Sequence, residues 1–429
     1  MAAGVASCPR CALIWTPTRI DIGLKRGHIL GLGAAAVIAV AVLAFFMGTS
    51  APYADSTQGS AVANAPGAGA QREGDIAANN ALSSSGPYSA AGLQARQAQL
   101  ALWQARYERA ERLYASYRDA TRYPPDSRPI AEHPDQIRPF TPVTEDLKLL
   151  NDKGEPIMGV RLRTSQERVF LSGVETVRFA IQAVDDNNLP LPLIIRNASA
   201  RSIADSRTPV KNIQANLSFT DNGSGADDTA GDGNYMARLS PATQGFENYN
   251  GTIRTLAEVT ANGQQGVVQL DVIYNPDVPA TWGGVREAVE AGSLNFYIKL
   301  SVRQAGRYVV SARVDDANGV PFALVQFNDE LAAGTREVRL QVFGALIRDK
   351  APTFPLKLRD VDGFLLIPDT FPDRAMMARQ PGLIYTSARY NRDQFSPNEW
   401  TSEERERYLT EYSKDAEAAR QQVQDLTPK

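Results

Sequence analysis

The run from Ile29 to Met47 contains no charged or hydrogen-bonding side chain, and it constrains where the rest of the chain can fold. A helix of this length, rising about 1.5 Å per residue, nearly crosses a bilayer core of about 30 Å. The basic residues that precede the run are Arg10, Arg19, Lys25 and Arg26, and none follows it before Arg72. By the positive-inside rule, we expect a single-pass anchor over residues 29–48 in the cytoplasmic (inner) membrane. Residues 1–28 would then be cytosolic, and the C-terminal body would lie in the periplasm or outside the cell.

A cleaved signal peptide is the alternative interpretation of the same run. The apolar cores of signal peptides span about 7–15 residues, which is shorter than this run. The small residues Thr49-Ser50-Ala51, which could form a cleavage site, are followed by Pro52. Because proline has a fixed φ and no N–H, it is unsuited to the extended backbone that a peptidase binds. Both features favour an uncleaved anchor.

The composition of the chain argues against several classes of function. A formal net charge of −3 and a pI near 5.7 provide no basic field for nucleic acid. Cys8 and Cys11 both precede the anchor, so the body is predicted to fold without disulfides. Their CxxC spacing would supply half of a Cys₄ zinc site if two chains dimerised, or it is incidental. The body contains one histidine, His133, which disfavours imidazole metal sites and histidine-dependent catalysis.

Two segments are expected between the anchor and the β body. Residues 49–87 are rich in Ala, Gly, Ser and Pro and are predicted to be a disordered linker. Residues 88–122 have a heptad-like apolar stripe, which predicts an amphipathic helix. The stripe comprises Leu93, Leu100, Trp103, Tyr107, Ala110, Tyr114 and Tyr117. It would pack on the following domain or, as the alternative, pair with a second copy of the chain in a homo-oligomer. Residues 123–139 form a Pro-rich connector.

From residue 140 onwards, segments of alternating polarity are separated by turn clusters such as Asn262-Gly263. Short strands at this spacing, without intervening helices, predict a mainly β fold with two antiparallel Ig-like β-sandwich modules. We expect the modules at residues 140–276 and 277–370. The boundary is predicted near Pro276, because residues 275–279 have no apolar period and contain two prolines.

The C-terminal part of the chain returns to a helical pattern. Residues 371–401 are predicted to be an irregular connector, and residues 402–426 a second amphipathic helix. Acidic residues in its first turn, Glu403, Glu404 and Glu406, complement the helix dipole. Isolated helices are marginal in water, so we expect the helices at 88–122 and 402–426 to dock on the β modules or on each other.

The densest local motif is the loop from Asp221 to Tyr235, which places acidic and glycine residues directly after a predicted strand. Ca²⁺ takes carboxylate and carbonyl oxygens from such loops. The candidate calcium ligands are Asp221, Asp227, Asp228 and Asp232. The spacing is not that of an EF-hand, because Asp232 replaces the glutamate of the twelfth position. The alternative is a long hairpin loop whose Asp and Asn side chains accept its own backbone N–H groups.

The end of this loop, Gly231-Asp232-Gly233-Asn234-Tyr235, resembles a loop of bacterial β-sandwich envelope proteins of the choice-of-anchor X family. Two further stretches resemble the same family, one at residues 123–130 (YPPDSRPI) and one at residues 385–390 (YTSARY) running into 395–400 (FSPNEW). Together they frame residues 123–415. The resemblance implies a periplasmic or surface sandwich protein held to a membrane, and it transfers no catalytic residues.

The sequence contains no GxSxG motif and no evident pairing of a nucleophile with a base. We therefore predict a non-enzymatic, membrane-anchored interaction or scaffold protein that contacts an unidentified envelope protein or glycan. The alternative is an envelope glycan hydrolase that uses two loop carboxylates. Candidate pairs are Asp315 with Asp316 and Asp360 with Asp362, although loop acids in β proteins are mostly solvated turn residues.

Overall fold

The computed structural model of the chain describes residues 89–150, 155–204 and 212–427. Over these residues the fold is mainly β, with several antiparallel sheets and few helices, which confirms the mainly β part of the predicted fold class. The predicted cytosolic segment, anchor and linker, together with both cysteines, lie outside the described residues. No helix that the structure describes is both long enough and apolar enough to span a membrane.

The described chain begins with helix α1 (Ala90–Ala120), whose first turn is capped by the Ser89 hydroxyl, an acceptor for Gly92 N at 3.1 Å. Strand β1 (Ser127–Pro129) follows and pairs with residues 323–325. The sequence predicts a Pro-rich connector at residues 123–139 and does not identify this strand. A proline can end it because β1 lies at the edge of its sheet, where one side of the backbone needs no partner.

Residues 143–275 form two sheets that share one hydrophobic core. Their strands are β2 (Val143–Leu150), β3 (Pro156–Gln166), β4 (Phe170–Ser172), β5 (Val177–Val184), β6 (Leu193–Ser202), β7 (Gln214–Asn216), β8 (Asn234–Leu239), β9 (Gly251–Ala261) and β10 (Gln264–Asn275). The sheet orders are β2-β3-β5-β8 and β4-β10-β9-β6-β7, and β4 is parallel to β10. Successive side chains of a strand point to opposite faces of the sheet, and those on the inner face build the core. In β5 these include Val177, Phe179 and Ile181.

Residues 280–386 form a second pair of sheets around a separate core. Their strands are β11 (Ala280–Glu290), β12 (Ser293–Val302), β13 (Gly306–Asp315), β14 (Pro321–Leu331), β15 (Gly334–Val342), β16 (Lys357–Leu366), β17 (Arg374–Met376) and β18 (Gln380–Thr386). The sheet orders are β11-β12-β15 and β1-β14-β13-β16-β17, with β18 also paired to β16. We call the second of these the large sheet.

The chain passes from one core to the other between Asn275, the last residue of β10, and Ala280, the first of β11. The buried Tyr308 fixes this passage to the second core. Its hydroxyl lies 3.0 Å from Pro279 O and 2.6 Å from Gln304 O, two carbonyl groups that it can bridge. Pro276 thus lies between strands, and no ladder hydrogen bond is required of its nitrogen.

We call residues 143–275 the first half of the fold and residues 280–386 the second half. Two further features correct the sequence prediction in and just after the second half. A short helix, α2 (Gly344–Lys350), lies between β15 and β16, where no helix was expected. The predicted irregular connector at 371–401 contains β17 and β18, both of which pair with β16. These strands are short and interrupted by turns, so they carry too little alternation to be recognised from sequence.

The C-terminal helix, α3 (Glu403–Leu426), packs against α1, which is one of the two arrangements expected from sequence. Tyr117 of the predicted stripe makes edge-on ring contacts with Tyr408 and Tyr412 at 5.6 and 5.3 Å. Near the other end, Arg96 donates to Leu426 O at 3.1 Å, so the helices run antiparallel. The stripe on α1 is thereby partly covered, from Leu100 to Tyr117, by another part of the same chain, whereas Leu93 is exposed.

A cluster of charges ties the helix pair to the β body. Arg405 is 4 % exposed and donates to Glu399 at 2.5 Å and to Thr121 at 3.1 Å. Arg122, just after α1, forms a two-bond pair with Asp349 at 2.8 and 3.1 Å and also contacts Glu399. Because Asp349 belongs to α2, these contacts join the base of the helix pair to the second core.

Candidate functional site

The acidic loop lies between β7 and β8, and it brings three of the four predicted calcium ligands together. One carboxylate oxygen of each of Asp221, Asp227 and Asp232 lies within 4.8 Å of the others. The fourth, Asp228, lies outside this group and forms an ion pair with Arg178 on β5 at 2.8 Å. The structure thus places Asp228 apart from the other three residues, with its charge turned toward the neighbouring strand, and the calcium site stays a prediction.

The same carboxylates also accept hydrogen bonds from the backbone of their own loop. Asp221 accepts from Gly231 N at 2.7 Å and from Gly233 N at 3.0 Å, and Asp227 accepts from Gly223 N at 2.6 Å. The Gly223 N–H holds the pKa of the Asp227 carboxyl below its usual range, although burial opposes the shift. Both the calcium interpretation and the self-capping interpretation thus have contacts in their favour.

A cleft of about 560 Å³ lies on the outer face of the large sheet. One wall is the segment from Asp135 to Thr141, which we call the strap, and the opposite wall includes Phe170 of β4 in the first half of the fold. The floor is formed by β13, β14, β16 and β17. The cleft therefore lies where the two halves meet, a position that ligand sites often occupy.

Strand alternation explains the polar floor of the cleft. In β13, the residues Tyr308, Val310, Ala312 and Val314 are buried in the core. The residues between them, Val309, Ser311 and Arg313, point outward and line the cleft. On β16, Asp362 pairs in register with Ser311, so these two polar side chains are neighbours on the same face.

A β-bulge in β16 adds a second acid to the floor. The register shifts between Ser311 and Arg313, and Asp360 has a left-handed φ of 53°. Arg359 and Asp360 both lie outside the core as a result. The Asp360 carboxylate then pairs with Arg313 at 3.0 Å and accepts from Gly382 N at 2.7 Å. The bulge therefore turns the Asp360 carboxylate toward the cleft, whereas regular strand pairing would place this residue differently.

Arg313 is the centre of a buried ion-pair network beneath the strap. It is 11 % exposed, and its Nε lies 2.9 Å from Asp315, which is 3 % exposed. Arg359 approaches the same carboxylate at 3.5 Å. Burial raises the pKa of the Asp315 carboxyl, and the two arginines oppose this shift. Arg313 also donates to Ile137 O, which holds the strap against the sheet.

Two further arginines join the halves of the fold at the cleft wall. Arg374 lies between Phe170 and Phe364, with 5.3 and 4.8 Å from its guanidinium carbon to the ring centroids. It forms a two-bond pair with Asp373 at 2.9 and 3.1 Å. Arg379 lies 4.9 Å from the ring centroid of Phe140, in the strap. These contacts fix both walls relative to the floor.

Of the two carboxylates on the cleft floor, Asp360 and Asp362, the latter is less satisfied by hydrogen bonds. Its Oδ1 accepts from Gly363 N at 2.9 Å, and its Oδ2 lies 3.7 Å from Arg379, beyond hydrogen-bonding distance. Burial raises the pKa of Asp362 to about 6, whereas Arg379 opposes the shift. Its register partner Ser311 makes no side-chain hydrogen bond in the part of the chain that the structure describes.

The sequence predicts that Asp315, Asp316, Asp360 and Asp362 are loop acids. The structure places three of them on strands, with Asp315 at the end of β13 and Asp360 and Asp362 within β16. Asp316 instead accepts from Asn318 N and Val320 N at 2.8 and 2.9 Å, as a turn residue does. The arginines and the strap were missed, because the linear sequence does not show which strands and loops come together to form a cleft.

The comparisons with known proteins give weak likenesses. No family model matches the chain, and no curated protein matches it. A DUF4785 family protein from Legionella pneumophila is 12% identical with a TM-score of 0.35, over 55% of this chain and 62% of that one. The native conformation of Escherichia coli alpha-2-macroglobulin is 12% identical with a TM-score of 0.22, over 57% of this chain and 18% of that one. At these scores neither likeness supports an inference about function.

Proposed function

We propose that this chain is a non-enzymatic, membrane-anchored interaction protein of the cell envelope, and that the cleft is its binding site. Two Ig-like β-sandwich modules would be held beyond the cytoplasmic membrane by the predicted anchor at residues 29–48 and the linker at 49–87. The support for the anchor is the apolar run and its basic flank in the sequence. The choice-of-anchor X resemblance is in keeping with the same placement.

The observation that carries the proposal is the preorganisation of the cleft. Its walls come from the strap and the first half, its floor comes from the second half, and these parts are joined by Arg313, Arg374 and Arg379. Side chains fixed in this way lose little entropy when a ligand binds, which raises affinity. The volume lies within the roughly 300–1,000 Å³ typical of small-molecule sites.

Site-specific photocrosslinking in intact cells tests the proposal. A photoreactive residue replaces Thr141, an exposed residue at the rim of the cleft. The matched control places the same residue at Leu189, which is 61% exposed in a turn of the first half. We expect an envelope component to crosslink at position 141 and not at 189. Equal labelling at both positions, or none at 141, would contradict the proposal.

An envelope glycan hydrolase is the second candidate, and Asp360 with Asp362 favours it. Asp360 is ion-paired with Arg313, whereas burial raises the pKa of Asp362 to about 6. A carboxyl whose pKa is raised can serve as the general acid, and a second carboxylate close to it can serve as the base. The test is release of new reducing ends from purified envelope polysaccharide by the intact protein. Release by the wild type that is lost in Asp362→Asn would favour the hydrolase.

A further inference from the structure

We infer that the cleft binds a neutral saccharide, one or two sugar units long, through Ser311 and Asp362 on its floor. This inference rests on the proposed function, because it names the ligand class of the proposed site.

On the floor of the cleft, a hydroxyl group that can both donate and accept a hydrogen bond lies beside a carboxylate oxygen that can only accept one. The Ser311 hydroxyl can donate and accept, and Asp362 Oδ2 accepts when ionised. Because the two residues are register partners, their polar groups lie side by side. Adjacent sugar hydroxyls match this arrangement, since each hydroxyl both donates and accepts. A ligand with one kind of group would leave part of the floor unsatisfied.

The charges of the cleft argue for a neutral ligand rather than an anion. The guanidinium groups of Arg313 and Arg374 are already paired with Asp360 and Asp373, and Arg379 faces Asp362. An anionic ligand would have to break such a pair and leave a partly buried carboxylate unpaired, which is strongly unfavourable. Arg138, the remaining arginine of the lining, is exposed at the rim.

The apolar part of the lining suits the C–H face of a sugar ring. Val309, Leu324 and Met376 lie on the same side of the large sheet as the polar pair. A wholly apolar ligand would cover them but would also remove water from Ser311 and Asp362 without replacing its hydrogen bonds. A pyranose presents polar edges and an apolar face together, so it satisfies both parts of the lining.

Saturation-transfer difference NMR with the full-length protein in detergent micelles tests the inference. The probes are the neutral disaccharides maltose, cellobiose and N,N′-diacetylchitobiose, and the acidic disaccharide digalacturonate. We expect transfer to at least one neutral probe and a weaker or absent signal from digalacturonate. In Ser311→Phe, whose ring would fill the floor, and in Asp362→Ala, affinity is expected to fall at least tenfold.

The control variant is Asp329→Ala, an exposed acid on β14 of the same sheet, which should bind as the wild type does. A thermal melt of each variant establishes that it is folded. Binding to none of the neutral probes, preferred binding of digalacturonate, or unchanged binding in folded Ser311→Phe would overturn the inference. If the rim position 141 still crosslinks specifically in cells, the proposed function stands and the saccharide assignment alone fails.

Discussion

Ser311 and Asp362 are register partners on β13 and β16, and their side chains lie together on the outer face of the large sheet. The residues on either side of Ser311, Val310 and Ala312, are buried in the second core. The same two strands therefore provide the packing that stabilises the fold and the polar floor of the cleft. A change on the outer face can alter the cleft while the core remains intact.

The raised pKa of Asp362 predicts a specific pH dependence of stability. Its carboxyl has a pKa of about 6 in the fold against 3.8 in the unfolded chain, so the folded state binds more protons between these values. Its contribution to the free energy of unfolding must therefore fall as pH rises from about 4 to 6 and level off above about 7. The groups facing Asp362 are Arg379, Arg168 and Glu175, and they are retained in the variant.

The measurement is the free energy of unfolding by urea from pH 4 to 8 for the wild type and Asp362→Asn. The difference, wild type minus variant, should decrease between about pH 4 and 6. Using the difference removes the common effect of all other titrating groups. A flat difference, or one that increases with pH, would mean that the carboxyl is not protonated more readily in the folded state.

The buried contacts of Arg405, where α1 and α3 meet the β body, predict that its loss destabilises the helix pair more than the loss of a nearby exposed arginine. Arg405 is almost fully buried, so Arg405→Ala removes its contacts with Glu399 and Thr121 and should destabilise the packing of α3 by roughly 2–3 kcal/mol. The matched control is Arg407→Ala two residues later, where the exposed pair with Glu403 should change stability by less than about 0.5 kcal/mol. Hydrogen exchange of the α1 and α3 amides measures both, and equal protection in the two variants would refute the prediction.

The acidic loop predicts calcium-dependent stability. Carboxylate oxygens of Asp221, Asp227 and Asp232 lie within 4.8 Å of one another, so a divalent cation would relieve their repulsion. We expect added Ca²⁺ to raise the Tm of the wild type and of Asp228→Asn, whose carboxylate faces Arg178, but not of Asp221→Asn. If Ca²⁺ leaves the wild-type Tm unchanged, the loop is held by its own backbone hydrogen bonds and the calcium prediction is wrong.

The buried hydroxyl of Tyr308 predicts that the passage between the two cores contributes to stability. Tyr308→Phe leaves the Pro279 and Gln304 carbonyls without this donor, at a cost of about 1–3 kcal/mol. The control is Tyr297→Phe, which removes an exposed hydroxyl bonded to Glu290 and should be nearly neutral. Chemical denaturation compares the two variants, and an equal effect would show that Tyr308 does not anchor this passage.

Much of the fold could be predicted from local patterns in the sequence. The alternation of β5 and β13 and the 3.6-residue period of α3 are each contained within one segment, so they are legible without tertiary information. β17 could not be found in this way, because it has three residues and forms only where β16 offers free backbone groups. The position of α1 against α3 was one of two expected arrangements, since a stripe shows that a face is covered but not what covers it.

The cleft could be predicted only in part. Asp360 and Asp362 are one of two acid pairs in the sequence that carry little weight as a catalytic signal, and their partners Arg313 and Arg379 are distant along the chain. The left-handed conformation of Asp360 accompanies the bulge; aspartate is enriched in this conformation, but the sequence does not show which of its many aspartates adopts it. The sequence of β13 nevertheless contains a useful signal. Ser311 and Arg313 are polar residues on one face of a strand whose other face is apolar.

The most direct test of the cleft as the binding site combines the rim crosslink with a blocked floor. The photoreactive residue at position 141 is introduced into the wild type, into Ser311→Phe and into Asp329→Ala, and crosslinked product is quantified in intact cells at matched expression. We predict that product falls at least tenfold in Ser311→Phe and is unchanged in Asp329→Ala. Undiminished crosslinking in folded Ser311→Phe would contradict the proposed binding site, because the phenylalanine ring would exclude a ligand bound on the floor of the cleft.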